Sequence, residues 1–305
     1  MDAHAAIHGP ALSTVLPSFL AAARADQVLR ETTTTKYREA AEFFIRIVGD
    51  LPIDHVSVDT FRTLKQTLLE RGSGPAHINS IIYALKKIIE HCRQNLGLAT
   101  ADLTNLKTLK IPRRAVVHLT QDELEQFMAG IKVHHRSGAI HLPGLCIRAL
   151  AEVLAGTGMR ISEALAMDVP AVDWRDHDAR IIGKGGKQRK VFFSERAIRW
   201  LKRYLEGRSN HTPPLFVSAR TGRRLAQHEA QRMCRTAVHR SGLQKRVTLH
   251  VLRHTFATTL LRNGCPIGHI QGLLGHERLE TTCRYYLGLL DERDLKKAHE
   301  RFLDW

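Results

Sequence analysis

The sequence predicts a mainly α protein in two domains, with a small antiparallel β-sheet confined to the second. Three observations carry this. Apolar residues recur at helical spacing in four successive stretches before residue 97. A stretch of alternating Leu and Thr followed by Pro112 then interrupts the pattern. Further on, two short β-favouring runs flank the Gly-rich turn Gly183 to Gly186.

In order along the chain, residues 1–11 are small and polar and read as a flexible terminus. Leu12 to Ala23 reads as a helix. A Thr run, Thr32 to Thr35, is the expected N-cap of a second helix through Phe43, Phe44 and Ile47, stopped by Gly49. Asp59 is the expected cap of a third, with Phe61, Leu64 and Leu68 on one face. The fourth carries Ile78, Ile81, Ile82, Leu85, Ile88 and Ile89, with Lys86 and Lys87 pointing outward. Residues 12–96 thus form a helical module, and 97–117, with Arg113 and Arg114, an extended basic linker.

The second domain, 118–305, opens with a capping box at Thr120 and Glu123. An apolar helix leads into Gly156-Thr157-Gly158, a tight turn that sets Arg160 at the start of the next helix. Strands are expected near Val172-Asp173-Trp174, over Ala179 to Ile182 and over Lys190 to Phe193. The turn between the last two lacks the spacing of a phosphate loop. Residues 195–207 and 226–240 read as basic helices, the latter carrying Arg232 and Arg235. Near the C-terminus, His250 and Arg253 are three apart, on one face of a helix. His276 follows a Leu-Leu-Gly turn, and Tyr285 lies nine residues beyond.

Composition narrows the partners. The chain carries 46 Lys and Arg against 30 Asp and Glu, a net charge of +16. Residues 1–110 are nearly balanced, 13 against 11, so the excess sits in the part that carries these motifs. That pattern points to a polyanion, nucleic acid before diffuse solubility charge. Five scattered cysteines without C-x-x-C spacing fit a reducing compartment and neither a disulfide framework nor a zinc site. No apolar run reaches the roughly 18–20 residues of a membrane span. The expected location is the cytoplasm, with the nucleoid.

Four blocks now stand in order: G-x-R-I-S-E at Arg160, G-K-G-x-K-x-R at Lys184, H-x-L-R-H-T-F-A-T at His250 and Arg253, and L-G-H…T-T-x-x-Y at His276 and Tyr285. Together they resemble the tyrosine recombinase family of phage-integrase and Xer-type enzymes, strongly over 119–290 and weakly over 12–96. The resemblance implies an N-terminal helical core-binding domain and an integrase-type catalytic domain that embrace double-stranded DNA. It implies six catalytic residues, Arg160, Lys184, His250, Arg253, His276 and the nucleophile Tyr285. It further implies a 3′-phosphotyrosine intermediate, strand exchange through a Holliday junction, and no metal, ATP or other cofactor. A homotetramer on DNA is expected, with or without a second recombinase, joined by an exchanged C-terminal helix over about 287–305. The expected DNA contacts are Lys86, Lys87, Arg113, Arg114, Lys187, Arg189, Arg232 and Arg235.

The departures from the family pattern are small: Leu249 replaces its usual Pro, Thr259 its His, and Tyr286-Leu287 follow the nucleophile. Adjacent helical residues point about 100° apart, so only one of Tyr285 and Tyr286 can face a phosphate; counting from Thr281-Thr282 selects Tyr285. No segment resembling an arm-site domain precedes the helical module, as expected of a simple Xer-like or transposon-borne enzyme. Two other readings stay open here, a type IB topoisomerase-like relaxing enzyme and a catalytically silent DNA-binding protein.

Overall fold

The structure is a computed structural model that describes residues 9–25, 31–112, 116–183, 186–208, 212–286 and 292–302. It is mainly helical with one small sheet and divides into two compact units, Met1–Arg114 and Ala115–Trp305.

The first unit packs α1 (Leu12–Ala25), α2 (Glu31–Val48), α3 (Val58–Glu70) and α4 (Pro75–Asn95) around one core. Each helix contributes an apolar stripe. On α4 the buried positions Ile78, Ile81, Ile82, Leu85, Ile88, Ile89 and Cys92 run down a single face. Two helix starts differ from expectation. The Thr run lies inside α2, and Thr34 is buried, because core packing overrides a propensity difference of a few tenths of a kcal/mol per residue. The cap of α3 is Ser57, whose hydroxyl accepts from the Thr60 amide while Thr60 returns the bond to the Ser57 amide. Asp59 instead pairs with Arg62 one turn on.

The expected linker is partly a packed arm. Leu103 and Leu106 are buried in the first unit's core. Asn79 exchanges two 2.8 Å hydrogen bonds with the backbone of Leu109, and the Lys65 and Lys86 ammonium groups donate to the carbonyls of Lys107 and Leu106. The Leu residues of the alternation supply the burial.

The second unit is built round α6 (Leu142–Thr157), which is buried on nearly every face. Against it pack α5 (Gln121–Ala129), α7 (Ile161–Ala166), α8 (Glu195–Gly207), α9 (Gln227–Ser241) and α10 (Leu249–Arg262), directly or through one another. Three antiparallel strands, β1 (Val172–Asp173), β2 (Asp178–Ile182) and β3 (Gln188–Phe192), lie in the order β1-β2-β3, with Arg180 opposite Lys190 and Ile182 opposite Gln188. α11 (Ile267–Leu274), α12 (Leu279–Tyr286) and α13 (Glu292–Phe302) complete the described chain. The Arg301 guanidinium donates to the Asn263 carbonyl, so α13 rests on the end of α10 in its own chain.

Sterics require glycine at several positions of the second unit, Gly158 and Gly144 among them. A Cβ on Gly158, the left-handed C-cap of α6 at φ +64°, would lie 2.4 Å from the Phe256 ring. A Cβ on Gly144, in the first turn of α6, would lie 1.8 Å from the Lys132 carbonyl oxygen. Backbone cannot move aside cheaply, so Gly144→Ala should destabilise the protein by roughly 3 kcal/mol or more. A thermal midpoint within a degree of wild type would refute this.

Candidate active site

The turn after α6 and the start of α7 place Arg160. Its backbone amide donates to Glu163 Oε2 (2.8 Å) and its Nη1 to Glu163 Oε1 (2.8 Å), while Nη2 reaches the Gly275 carbonyl at 3.4 Å. Glu163 is buried and orients the guanidinium, as its place three residues beyond Arg160 implies. Arg253, in the second turn of α10, is 2% exposed. Its Nη1 donates to the Gly158 carbonyl (2.5 Å) and its Nη2 to that of Leu274 (2.8 Å), the C-terminal ends of α6 and α11. Carbonyl oxygens there carry partial negative charge, which suits a buried cation. Arg253 therefore sits in the floor of the site and Arg160 in its wall.

His276 follows Gly275, the left-handed C-cap of α11 at φ +64°. Its Nδ1 lies 2.9 Å from the hydroxyl of Thr282, a fully buried residue of α12. His250 stands at the N-terminus of α10, at the mouth of the groove, with its ring edge-on to His254 at 4.6 Å. Arg160 and His276 line a cavity of about 490 Å³ with Lys187, Arg189 and Arg278. His250 lines a neighbouring groove of about 450 Å³ with Gln227, Gln231, Arg235, Arg246 and Thr248.

Four of the six expected catalytic residues, Arg160, His250, Arg253 and His276, thus converge. Tyr285 is on α12, three residues beyond Thr282, and its side chain lies outside the described residues. Lys184, Arg113 and Arg114 also lie outside them. Among the described residues no three His, Cys, Asp or Glu side chains gather as a metal site, and no helix is long and apolar enough to cross a membrane.

The expected DNA contacts separate. Arg232 and Arg235 are exposed on α9. Lys187 is exposed, 3.6 Å from Glu277, and Lys87 pairs with Glu90 at 2.7 Å. Lys86 is committed to the Leu106 carbonyl, and Arg189 to Glu163, with 12% of its side chain exposed. Those two are structural ties rather than an open basic surface. The pairing of Thr282 with His276, and the places of Gln227 and Gln231 beside His250, were not legible in the sequence. The latter two stand at i and i+4 with Arg235 at i+8, a spacing that marks one helix face.

Electrostatics follows from this crowding. Burial and then Arg253 and Arg160 push His276 down to about 4. Burial and then His250 and Arg253 push His254 down to about 4, and His250 is lowered by burial, Arg253 and Arg160. Burial works to raise Glu163, but hydrogen bonds from Arg189 and the Arg160 amide outweigh it and leave it at about 2. The histidines are neutral in the folded protein and take a proton near pH 6.5 when unfolded, so the unfolded state binds more protons below that pH. Stability should fall as pH drops through 6.5 toward 4, and Glu163 should add a further loss from 4.5 toward 2. Urea denaturation at pH 7.5, 6 and 5 would show it; equal stabilities would contradict it.

Comparison with known proteins agrees with the geometry. The sequence pattern described as the phage integrase family matches residues 118–293. The tyrosine recombinase XerC of Pelobacter propionicus is 38% identical over 272 residues, 87% of this chain and 86% of that one. The tyrosine recombinase XerD of Mycobacterium leprae is 32% identical, covering 91% and 93%. Among solved structures, the XerA recombinase is 27% identical at a TM-score of 0.52, covering 95% of this chain and 98% of that one. The fold also matches the Tn1549 transposon integrase in complex with circular intermediate DNA, at a TM-score of 0.72, 19% identity and coverage of 93% and 98%. This chain therefore belongs to the phage integrase family and is a tyrosine recombinase of the Xer type, an enzyme of site-specific DNA recombination.

Proposed function

We propose that Tyr285 attacks a DNA phosphate in this groove, forming a 3′-phosphotyrosine and releasing a 5′-hydroxyl. The 5′-hydroxyl of a second duplex then reverses the step and completes strand exchange through a Holliday junction. One phosphodiester is made for each one broken, so the bond energy is kept in the covalent intermediate. The observation that carries the reading is the convergence of Arg160, His250, Arg253 and His276 beside the helix that bears Tyr285.

Each role follows from chemistry and position. The five-coordinate phosphorus gathers negative charge on its equatorial oxygens. Arg160 meets it with a forked, permanently charged donor, and Arg253 adds a fixed charge from the floor. Tyrosine is nucleophilic only as the phenolate, with an ordinary pKa of about 10, and His250 assists loss of its proton. His276 is neutral at pH 7, so it donates to an oxygen through one N–H. When Nδ1 accepts the Thr282 hydroxyl proton, that donor is Nε2. Lys184, which falls between β2 and β3 in the sequence, is the general acid for the leaving 5′-oxygen.

In this reading residues 12–96 form the core-binding domain and 118–305 the catalytic domain. A homotetramer assembles on DNA, and the segment of about 287–305 leaves the contact of Arg301 with Asn263 in its own chain to dock on a neighbour. Solved structures that share the fold include XerH bound to its difH substrate before cleavage and a lambda integrase dimer bound to a core site. Gln227, Gln231 and Arg235 line the groove beside His250, and they suit base edges: Gln pairs with adenine and Arg with guanine.

A nicked suicide substrate should trap a covalent adduct. Tyr285→Phe should abolish the adduct and retain DNA binding, while Tyr286→Phe should keep both; adduct formed by Tyr285→Phe would overturn the assignment. Arg160→Ala should slow cleavage by about 10²–10³-fold, the usual loss for a preorganised charge donor. Transfer between two labelled duplexes separates strand exchange from simple relaxation of a supercoiled plasmid. For sequence choice, Arg235→Ala should relax discrimination at one base pair by about 1–3 kcal/mol, read from binding to single-position variants of the site. A uniform loss across all variants would instead make Arg235 a phosphate contact.

A further inference from the structure

Arg189 has the sequence context of a DNA contact and the environment of an internal brace. Its Nη1 and Nη2 donate to Glu163 Oε1 at 3.0 Å and Oε2 at 2.7 Å, and its Nε is buried with no partner among the described residues. Among the described residues Glu163 is its polar anchor. Both oxygens of that carboxylate also serve Arg160, one for its guanidinium and one for its backbone amide.

The second face of Arg189 lies on the turn before His276. A Cβ on Gly275 would come within 2.9 Å of Arg189 Cδ and Nη1 and 3.0 Å of Cζ, so the side chain lies flat where only glycine leaves room. The carbonyl of the same Gly275 accepts from Arg160 Nη2. On the third side, a Cβ on Gly183 would stand 3.3 Å from Arg189 Nη1, and the Gly183 amide closes the hairpin on the Lys187 carbonyl. One side chain therefore touches the base of the hairpin, the carboxylate that orients Arg160 and the turn that carries His276.

We propose that Arg189 is a positioning residue for DNA strand cleavage, which aims the Arg160 guanidinium through their shared carboxylate Glu163 and holds the Gly275 turn beneath His276. This rests on reading Arg160 as a phosphate-binding group. A direct phosphate contact is the weaker account of Arg189, because its fork grips both oxygens of Glu163 and 12% of its side chain is exposed, against 31% for Arg160. The brace needs a planar fork, and the compact ammonium of lysine cannot grip both carboxylate oxygens. Misplacing a catalytic group by about 1 Å can cost as much as 10²-fold in rate.

The test is single-turnover cleavage of a nicked suicide duplex by the full chain, with DNA affinity measured at two salt concentrations and thermal midpoints recorded. Arg189→Gln and Arg189→Lys should each slow cleavage by about 10- to 100-fold, with affinity and its salt dependence unchanged. In the Arg160→Ala background, Arg189→Gln should cost clearly less than it does in the wild type, because the part of its effect that runs through Arg160 is already lost and only the part carried by the Gly275 turn remains. A loss that multiplies fully with that of Arg160→Ala overturns the proposal, as does wild-type cleavage by Arg189→Gln. Cleavage restored by Arg189→Lys, or a weakened affinity with a shallower salt slope, would make Arg189 a simple charge contact. If both Arg189 variants are unfolded at the assay temperature, the pair is one of stability and the proposal falls. Wild-type cleavage by Arg160→Ala would refute the reading of the site itself, an outcome visible without any Arg189 variant.

Discussion

Gathering several permanent positive charges around one groove is the constraint on which the catalytic unit depends. Two like charges 4 Å apart repel by on the order of 4 kcal/mol at an effective dielectric of 20. Arg160, Arg189 and Arg253 all act on the same imidazole, that of His276, so they share one electrostatic neighbourhood. What holds them there is one buried carboxylate, Glu163, and the carbonyls of Gly158, Leu274 and Gly275. The glycines of the G-x-G-x-R and L-L-G-H turns matter for this reason. They end α6 and α11 in left-handed caps, and those ends present the carbonyl oxygens to the guanidiniums.

Among the described residues one carboxylate, Glu163, is shared by Arg160 and Arg189, while the carbonyls of Gly158 and Leu274 accept from Arg253. His250, His254 and His276 all resist protonation, through burial first and through the neighbouring positive charges after it. In the proposed reaction a DNA phosphate would bring negative charge to these guanidiniums, and the extra charge of the five-coordinate state would be favoured further. The donors are already held by backbone and by Glu163, so that reaction would need little reorganisation.

Legibility in the sequence divides along physical lines. Local signals were readable: the capping box at Thr120, the apolar stripe of α4, the hairpin round its glycines, and the pairing of His250 with Arg253 on one face. Burial and partnership across long separations were not. Arg189 sits beside Lys187 in a basic, glycine-rich turn and reads as surface charge, because its partner Glu163 is 26 positions away. Lys86 likewise reads as an outward lysine until the arm at Leu106 folds over it. Residues 98–109 look like a linker because their apolar residues follow no helical period, yet an irregular segment can bury Leu103 and Leu106 as well as a helix can. The Thr run misled for a related reason: cap preference is local, and Thr34 answers to the core.

The Thr282–His276 contact joins two motifs that the sequence keeps apart. His276 belongs to the turn that ends α11, and Thr282 to the helix that carries Tyr285. Since Thr282 is fully buried, α12 cannot rotate about its axis without breaking this bond or exposing the residue. Tyr285, the proposed nucleophile, follows three residues on in the same helix, so the hydroxyl that ties α12 to the His276 turn also fixes the helix that carries it. In the proposed reaction the spacing T-T-x-x-Y is then a mechanical link between the imidazole and the helix of the nucleophile, and the second threonine is the member of the pair that carries it.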